Sequence, residues 1–271
     1  MSRKISIEEI RNRPEIEILK KLPGVAQPLI NGIFKKVLHL DEINEILGST
    51  DKKGVDFLIE MTDNLEIDIR VTGKENIPKK GRAIFVCNHP TGLGEIAVLR
   101  AILDVRRDIY DVADPSLVEL FPELEDMLII APSHDRPESK IVLAVSSVRK
   151  SMELLLKEKG LVFFPSGTVA SKHQGKIEEE RWKNGPTLLA RQTNAPVIPI
   201  YTDAENSDLF YQIRNLPGIG NIASTAMMID ALFRQRGKTI NLTVKPPISS
   251  TELRKVNTPA GTRILRDACL N

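Results

Sequence analysis

Ala83-Ile84-Phe85-Val86-Cys87-Asn88-His89-Pro90-Thr91-Gly92-Leu93-Gly94-Glu95 is the stretch on which the fold turns. The apolar run Ala83 to Cys87 reads as a strand, and the Asn-His-Pro-Thr-Gly segment begins where that strand runs out. Phe163-Phe164-Pro165-Ser166-Gly167-Thr168 does the same after Leu161-Val162. In an α/β sheet, ligands sit in the crevice outside such strand ends. Two of them carrying a His, a carboxylate, glycines and hydroxyls predict one composite site, and an enzyme.

Further strands are expected at Ile67 to Val71, Ile109 to Val112, Met127 to Ile130, Val197 to Thr202 and Thr239 to Val244, beside those at 83–87 and 161–164. They alternate with helical stretches around 95–104, 138–158, 184–194 and 222–236. That alternation predicts an α/β fold, a mostly parallel sheet flanked by helices. Gly73 to Gly81 reads as a loop.

Ahead of the sheet, residues 1–64 read as a helical N-terminal region. Ser6-Ile7-Glu8-Glu9 is a capping box and Pro14 interrupts the helix it opens. Gly24 to Leu40 has apolar residues at helical spacing, so it either packs on the core or lies in a lipid interface with Lys35 and Lys36 at the headgroups. Asp41 and Asp51 are expected as N-caps of two more helices, the first ended by Gly48. The catalytic domain is expected over 65–250, with 251–271 a C-terminal tail.

At 271 residues and 41% hydrophobic, the chain can bury one substantial core. A formal charge of +2, from 38 basic and 36 acidic residues, gives no case for nucleic acid as a partner. Residues 1–40 hold eight basic and four acidic residues, whereas 41–70 hold nine acidic and three basic. Only the first stretch suits an anionic lipid surface, and both also fit solvated helix faces. No signal peptide and no run of ~20 apolar residues is visible, so membrane contact is expected to be peripheral. Two cysteines, Cys87 and Cys269, provide no framework of bridges and fit reduced thiols in the cytoplasm. Cys87, inside a strand, reads as a small buried residue rather than a nucleophile.

A His followed by a carboxylate at a helix start lets the carboxylate fix the imidazole tautomer and stabilise the imidazolium. His89 is thus the expected general base and Glu95 its orienter. The motif offers no protein nucleophile, so the nucleophile is expected to arrive with the substrate, as an acceptor hydroxyl deprotonated during attack on an acyl carbonyl. Gly167, its neighbouring amides and the Thr168 hydroxyl are candidates to stabilise the oxyanion. No Cys or His pair has metal-ligand spacing. Of the other histidines, His39 reads as a helix C-terminal partner, His134 as a loop residue near the site and His173 as surface.

At these residues the chain resembles the glycerolipid acyltransferase superfamily, which includes lysophosphatidic acid acyltransferases, and within it the hemolysin-like bacterial branch. The His-carboxylate motif appears as His89-x5-Glu95 and the third motif as Phe164-Pro165-Ser166-Gly167-Thr168. A Pro-rich apolar strand, Ala195-Pro196-Val197-Ile198-Pro199-Ile200, matches the fourth. Trp182 to Gly185, Asn206-Ser207-x-Leu209-Phe210-Tyr211 and Lys245-Pro246-Pro247-Ile248 extend the resemblance over roughly 65–250. Three positions depart from the usual pattern: Glu95 for Asp, Ser166 for Glu, and Val169 for the Arg of phosphate-binding relatives.

The resemblance implies His89 and Glu95 as catalytic residues, with Asn88, Arg136, Ser166, Gly167 and Thr168 as substrate-binding residues. It implies acyl transfer from acyl-CoA or acyl carrier protein, as cosubstrate, to the hydroxyl of a lysolipid, without a bound cofactor. The place for this is a cytoplasmic enzyme peripheral on the inner face of the cytoplasmic membrane. Two other classes are kept: a hydrolase with Ser166 as nucleophile, which would release acyl groups to water, and a lipid-binding relative with little catalysis.

Overall fold

The computed structural model describes residues 39–132, 140–214 and 228–271. The Gly24 to Leu40 segment, apart from its last two residues, the Ser6 to Glu9 capping box, His134 and Arg136 lie outside them.

Nine strands and nine α-helices carry bounds among the described residues. In order they are α1 (Leu40–Ser49), α2 (Gly54–Asn64), β1 (Asp68–Thr72), β2 (Ala83–Cys87), α3 (Ile96–Leu103), β3 (Ile109–Ala113) and α4 (Pro115–Leu120). Then come β4 (Leu128–Ile130), α5 (Lys140–Leu156), β5 (Gly160–Phe163), β6 (Ser171–His173), β7 (Lys176–Glu178), α6 (Gly185–Thr193), β8 (Val197–Asp203) and α7 (Asp208–Arg214). The chain closes with helical residues at 228–233, β9 (Thr239–Val244), α8 (Ser250–Arg254) and α9 (Thr258–Leu270).

Seven strands form one sheet in the order β1-β9-β8-β2-β5-β3-β4, parallel at every pairing except β8 with β9. β2 lies at its centre and all five of its residues are buried, because a parallel strand covered on both faces must be apolar throughout. The two-residue period sorts them. Phe85 and Cys87 face a core shared with α2, α3 and residues 229–233, while Ile84 and Val86 face a second core with α5, α6 and α9. Helices thus cover both faces, and the α/β expectation is met.

Several boundaries differ from the sequence reading. α1 starts at Leu40 after His39, which has a left-handed backbone (φ 46°), and α2 follows Lys53, with no side-chain cap at either start. Asp41 lies in the first turn instead of capping, and Asp51 precedes the helix. His39 therefore opens a helix, where it contacts Glu42 Oε1 at 3.1 Å and Asp230 Oδ1 at 3.2 Å. The segment expected as a tail is integral to the fold. α8 has a Ser249–Glu252 capping box, and α9 buries Leu265 and Cys269 against the sheet. Its buried face, Gly261, Thr262, Leu265 and Cys269, holds only two apolar side chains.

Candidate active site

β2 and β5 are adjacent and parallel, so their C-terminal ends deliver both motifs to one edge of the sheet. Asn88, the first residue past β2, is buried and spends its side chain on β8: Nδ2 donates to Thr202 O at 3.0 Å and Oδ1 accepts from Thr202 N at 2.7 Å. That clamp fixes the start of the loop that carries His89.

The His89 ring lies against Phe164, with centroids 4.9 Å apart. The His89 carbonyl accepts from Ala170 N at 2.9 Å. The two motifs are thereby held together by a ring contact and a backbone bond. The loop then turns through Gly92 (φ 81°) and a 3₁₀ turn into α3, bringing Glu95 back under the ring. His89 Nδ1 is 3.5 Å from Glu95 Oε1, and that oxygen also accepts from Thr91 N at 2.7 Å. Glu95 is buried, while His89 remains 19% exposed and open to a reactant.

Two further carboxyls act on His89 through their charge. Glu179 Oε1 accepts from the His89 amide, and its Oε2 accepts from the Trp182 indole at 2.7 Å. Asp111, in the middle of β3, is buried with Oδ1 lacking a partner among the described residues. Burial opposes charging His89, but Glu95 outweighs it, helped by Glu179 and Asp111, and the imidazole pKa is raised. Burial pushes Asp111 up to about 7, with Glu95 adding and His89 and the Val112 amide opposing. Burial also raises Glu179, against its two hydrogen bonds.

The third motif forms a tight turn. Gly167 N donates to Phe164 O at 2.9 Å, and Gly167 has φ 69°, in the left-handed region that favours glycine. A Cβ there would collide with the Lys183 ammonium, which reaches over the turn from a strap held by Lys183 N donating to Pro165 O at 2.9 Å. Ser166 is buried and its hydroxyl donates to Thr168 O at 3.0 Å. The Thr168 hydroxyl is buried without a partner among the described residues, as are Thr91 Oγ1 and Glu95 Oε2, and His89 Nδ1 has only the 3.5 Å approach of Glu95. Buried polar atoms in native proteins nearly always have partners, and their concentration along these two motifs sets this edge of the sheet apart.

Val169 packs against Phe210 and Tyr211, so the position that is Arg in phosphate-binding relatives is apolar here. Lys172 pairs with Asp208 at 2.9 Å. Arg136 lies outside the described residues. Burial holds the Cys87 thiol far above its ordinary pKa, which disfavours a thiolate. Among the described residues no group of His, Cys, Asp and Glu has the geometry to hold a metal ion. Asp111 and Glu179 were missed in the sequence. Asp111 did leave a signal, a lone acid at an inward position of an apolar strand, whereas Glu179 sits in the run Glu178-Glu179-Glu180-Arg181 and looks solvated.

Comparison with known proteins bears on the family of the chain. The family model described as Acyltransferase matches residues 13–263. A lyso-glycine lipid O-acyltransferase of Bacteroides thetaiotaomicron is 32% identical over 84% of this chain and 83% of its own. A protein of the same description from Phocaeicola vulgatus is 30% identical over 94% of this chain and 90% of its own. Among solved structures, the 1-acyl-sn-glycerophosphate (LPA) acyltransferase of Thermotoga maritima aligns with a TM-score of 0.47 at 17% identity, over 95% of this chain and 88% of that one. With the family model spanning most of the sequence and a relative this similar along most of both chains, the chain belongs to the acyltransferase family, within the glycerolipid acyltransferase superfamily, and is an O-acyltransferase.

Proposed function

We propose that the chain moves a fatty acyl group from an acyl thioester, acyl-CoA or acyl carrier protein, to the hydroxyl of a lysolipid, with a lyso-glycine lipid as the favoured acceptor. The observation that carries the mechanism is the approach of His89 Nδ1 to Glu95 Oε1 at 3.5 Å, with Glu95 pinned by the Thr91 amide. A carboxylate on Nδ1 keeps the proton there and leaves Nε2 as the base.

The acceptor hydroxyl gives its proton to His89 as its oxygen attacks the thioester carbonyl. The resulting oxyanion is stabilised at the Gly167–Thr168 turn by the Thr168 hydroxyl, since the Gly167 amide is spent on Phe164 O. Collapse breaks the C–S bond, and the thiolate takes the proton back from the imidazolium, so the products are an ester and a free thiol. The reaction needs no resident cofactor. The carboxylates around His89 favour the imidazolium formed in between.

The acceptor class draws its support from the two glycine-lipid relatives, and Val169 contributes an apolar side chain where phosphate-binding relatives have Arg. A Ser166 hydrolase gains no support, because the Ser166 hydroxyl is spent on Thr168 O.

Association with a membrane surface draws support from α5. Among the described residues no helix is long and apolar enough to cross a bilayer. α5 nevertheless exposes Ile141, Val142, Val145, Val148 and Leu156, with exposed Arg149 and Lys150 beside them. α5 leads through a short turn into β5, so its first residues lie at the sheet edge that holds His89.

The test is to incubate the purified protein with an acyl thioester and a series of lysolipids and follow the products by mass. The expected result is one ester formed per thiol released. Thiol release with free fatty acid alone would overturn the proposal.

A further inference from the structure

The chain between β7 and α6 passes the catalytic edge as a strap, and Glu179 is the residue through which it holds the base. Glu178 and Glu180 on either side are exposed, whereas Glu179 is half-buried. Its Oε1 accepts from the His89 amide and its Oε2 from the Trp182 indole at 2.7 Å. Trp182 is buried in the second core, so the carboxylate lies between a donor fixed in that core and the peptide that carries the imidazole.

Other bonds hold the same stretch of backbone. Ala170 N donates to His89 O at 2.9 Å, and Asn206 Nδ2 donates to Pro90 O at 3.1 Å. At the far end of the strap Lys183 N donates to Pro165 O at 2.9 Å. Of these contacts only that of Glu179 brings a formal charge.

Both groups that face Glu179 are N–H donors. A carboxylate meets them with two acceptor oxygens, whereas an amide side chain has one acceptor oxygen and one donor nitrogen, and must set that nitrogen against one of the two N–H groups. The position is therefore built for the ionised carboxylate. Burial opposes that ionisation, and the two hydrogen bonds and His89 favour it. Burial likewise lowers the imidazole pKa, and Glu95, Glu179 and Asp111 together raise it above its ordinary value. Lys183 reaches over the Gly167 turn from the same strap, and the Cys87 and Cys269 thiols are both pushed up by burial and stay neutral.

We propose that Glu179 is a positioning residue for acyl transfer: its carboxylate fixes the His89 amide, and with it the origin of the imidazole, and its charge adds to that of Glu95 in stabilising the imidazolium. The inference rests on His89 as the base and supplies it with a second carboxylate from a separate segment.

The experiment compares the full chain with Glu179→Gln, Glu179→Asp, Trp182→Phe and the double variant Glu179→Gln with Trp182→Phe, by steady-state kinetics over pH and by NMR titration of the His89 ring. Glu179→Gln should lower kcat about tenfold or more on the alkaline plateau with KM unchanged, because small misplacements of a reacting group are costly. Its acid limb and the His89 midpoint should both move to lower pH, by less than in Glu95→Gln. Trp182→Phe alone should stay close to wild type. In the double variant the amide nitrogen no longer opposes the indole N–H, so most of the lost kcat should return while the acid limb stays lowered. Glu179→Asp keeps the charge and gives up the reach, so its kcat should fall with the acid limb close to that of wild type.

Wild-type kcat and an unmoved acid limb in Glu179→Gln overturn the proposal. So does a loss of kcat that Trp182→Phe does not relieve, or one with no shift in the His89 titration, which is what a purely structural strap would give. Should Glu179→Gln not fold, the double variant and Glu179→Asp carry the same test. Failure of the underlying reading is seen separately, as wild-type turnover in His89→Ala whatever Glu179→Gln does to the His89 titration, and it would take the positioning role with it.

Discussion

Glu95 Oε1 is shared between the Thr91 amide, at 2.7 Å, and His89 Nδ1, at 3.5 Å. The carboxylate is held first by the loop and reaches the imidazole beyond ordinary hydrogen-bond length, so the extra methylene of Glu is taken up by a loop that folds back on itself. Glu95→Gln keeps the shape and removes the charge that stabilises imidazolium. It should lower kcat by about 10² or more, while His89→Ala should lose about 10² to 10⁴. Glu95→Asp should retain more activity than Glu95→Gln. Steady-state rates of folded variants check the order, and a Gln variant as fast as wild type would reduce Glu95 to a structural role.

The acid limb of the rate profile follows from the raised pKa of His89. A base works only when neutral, so activity should rise with pH through a midpoint above the ordinary histidine value of about 6.5. Charged His89 is favoured by folding, so its contribution to stability is full below that ordinary value and is lost as pH rises through the folded one. Glu95→Gln removes the largest raising influence and should move the acid limb of its residual activity to lower pH. A limb that does not move would mean that another group controls the profile.

Asp111 behaves oppositely to a surface carboxylate. Its folded pKa of about 7 lies above its ordinary 3.8, so the folded state holds the proton more tightly, and stability falls as pH rises from about 4 to about 7. Above that window the buried charge costs at most about 4 kcal/mol. Asp111→Asn should therefore have a higher urea midpoint than wild type at pH 8, with the gap closing toward pH 4. A gap independent of pH would show that Asp111 is neutralised by a partner.

The central strands were legible because β2, β5 and β8 are buried on both faces and cannot hide among polar residues. The His89 and Ser166 motifs were legible because a strand end followed by His-Pro-Thr-Gly or Pro-Ser-Gly-Thr has few other readings. Partners that come from distant sequence were not legible. Nothing near Asn88 announces Thr202, and nothing near Asn206 announces Pro90, because both bonds depend on β8 pairing with β2. α9 escaped notice for a different reason: its buried positions, Gly261, Thr262, Leu265 and Cys269, follow a helical period, but a glycine and a threonine among them do not read as part of an apolar stripe.

A side chain at Gly167 is expected to cost activity more than stability. Its φ of 69° costs a non-glycine residue about 1–2 kcal/mol, and an added methyl would also displace Lys183 from above the turn. Gly167→Ala should remain folded, because the residue is exposed, yet lose most acyl transfer through kcat. A variant with unchanged kcat would remove the 167–168 turn from the oxyanion site.

The apolar face of α5 makes the last prediction. Val142 and Val145 are 74% and 64% exposed, so replacing both with Glu should leave the fold and the urea midpoint unchanged. Contact with lipid would withdraw those side chains from water, and losing it at both positions while adding two charges costs on the order of 2 kcal/mol or more, over tenfold in partition. Wild type should therefore sediment with anionic vesicles and the double variant should not. High salt should weaken the wild-type interaction, because Arg149 and Lys150 lie beside the stripe. Acyl transfer to acceptors embedded in vesicles should fall in the double variant, while transfer to short-chain soluble acceptors should hold. If α5 instead joins two copies of the chain, wild type will sediment as a larger species without vesicles and the variant as a monomer, and the lipid-facing role of α5 would be discarded.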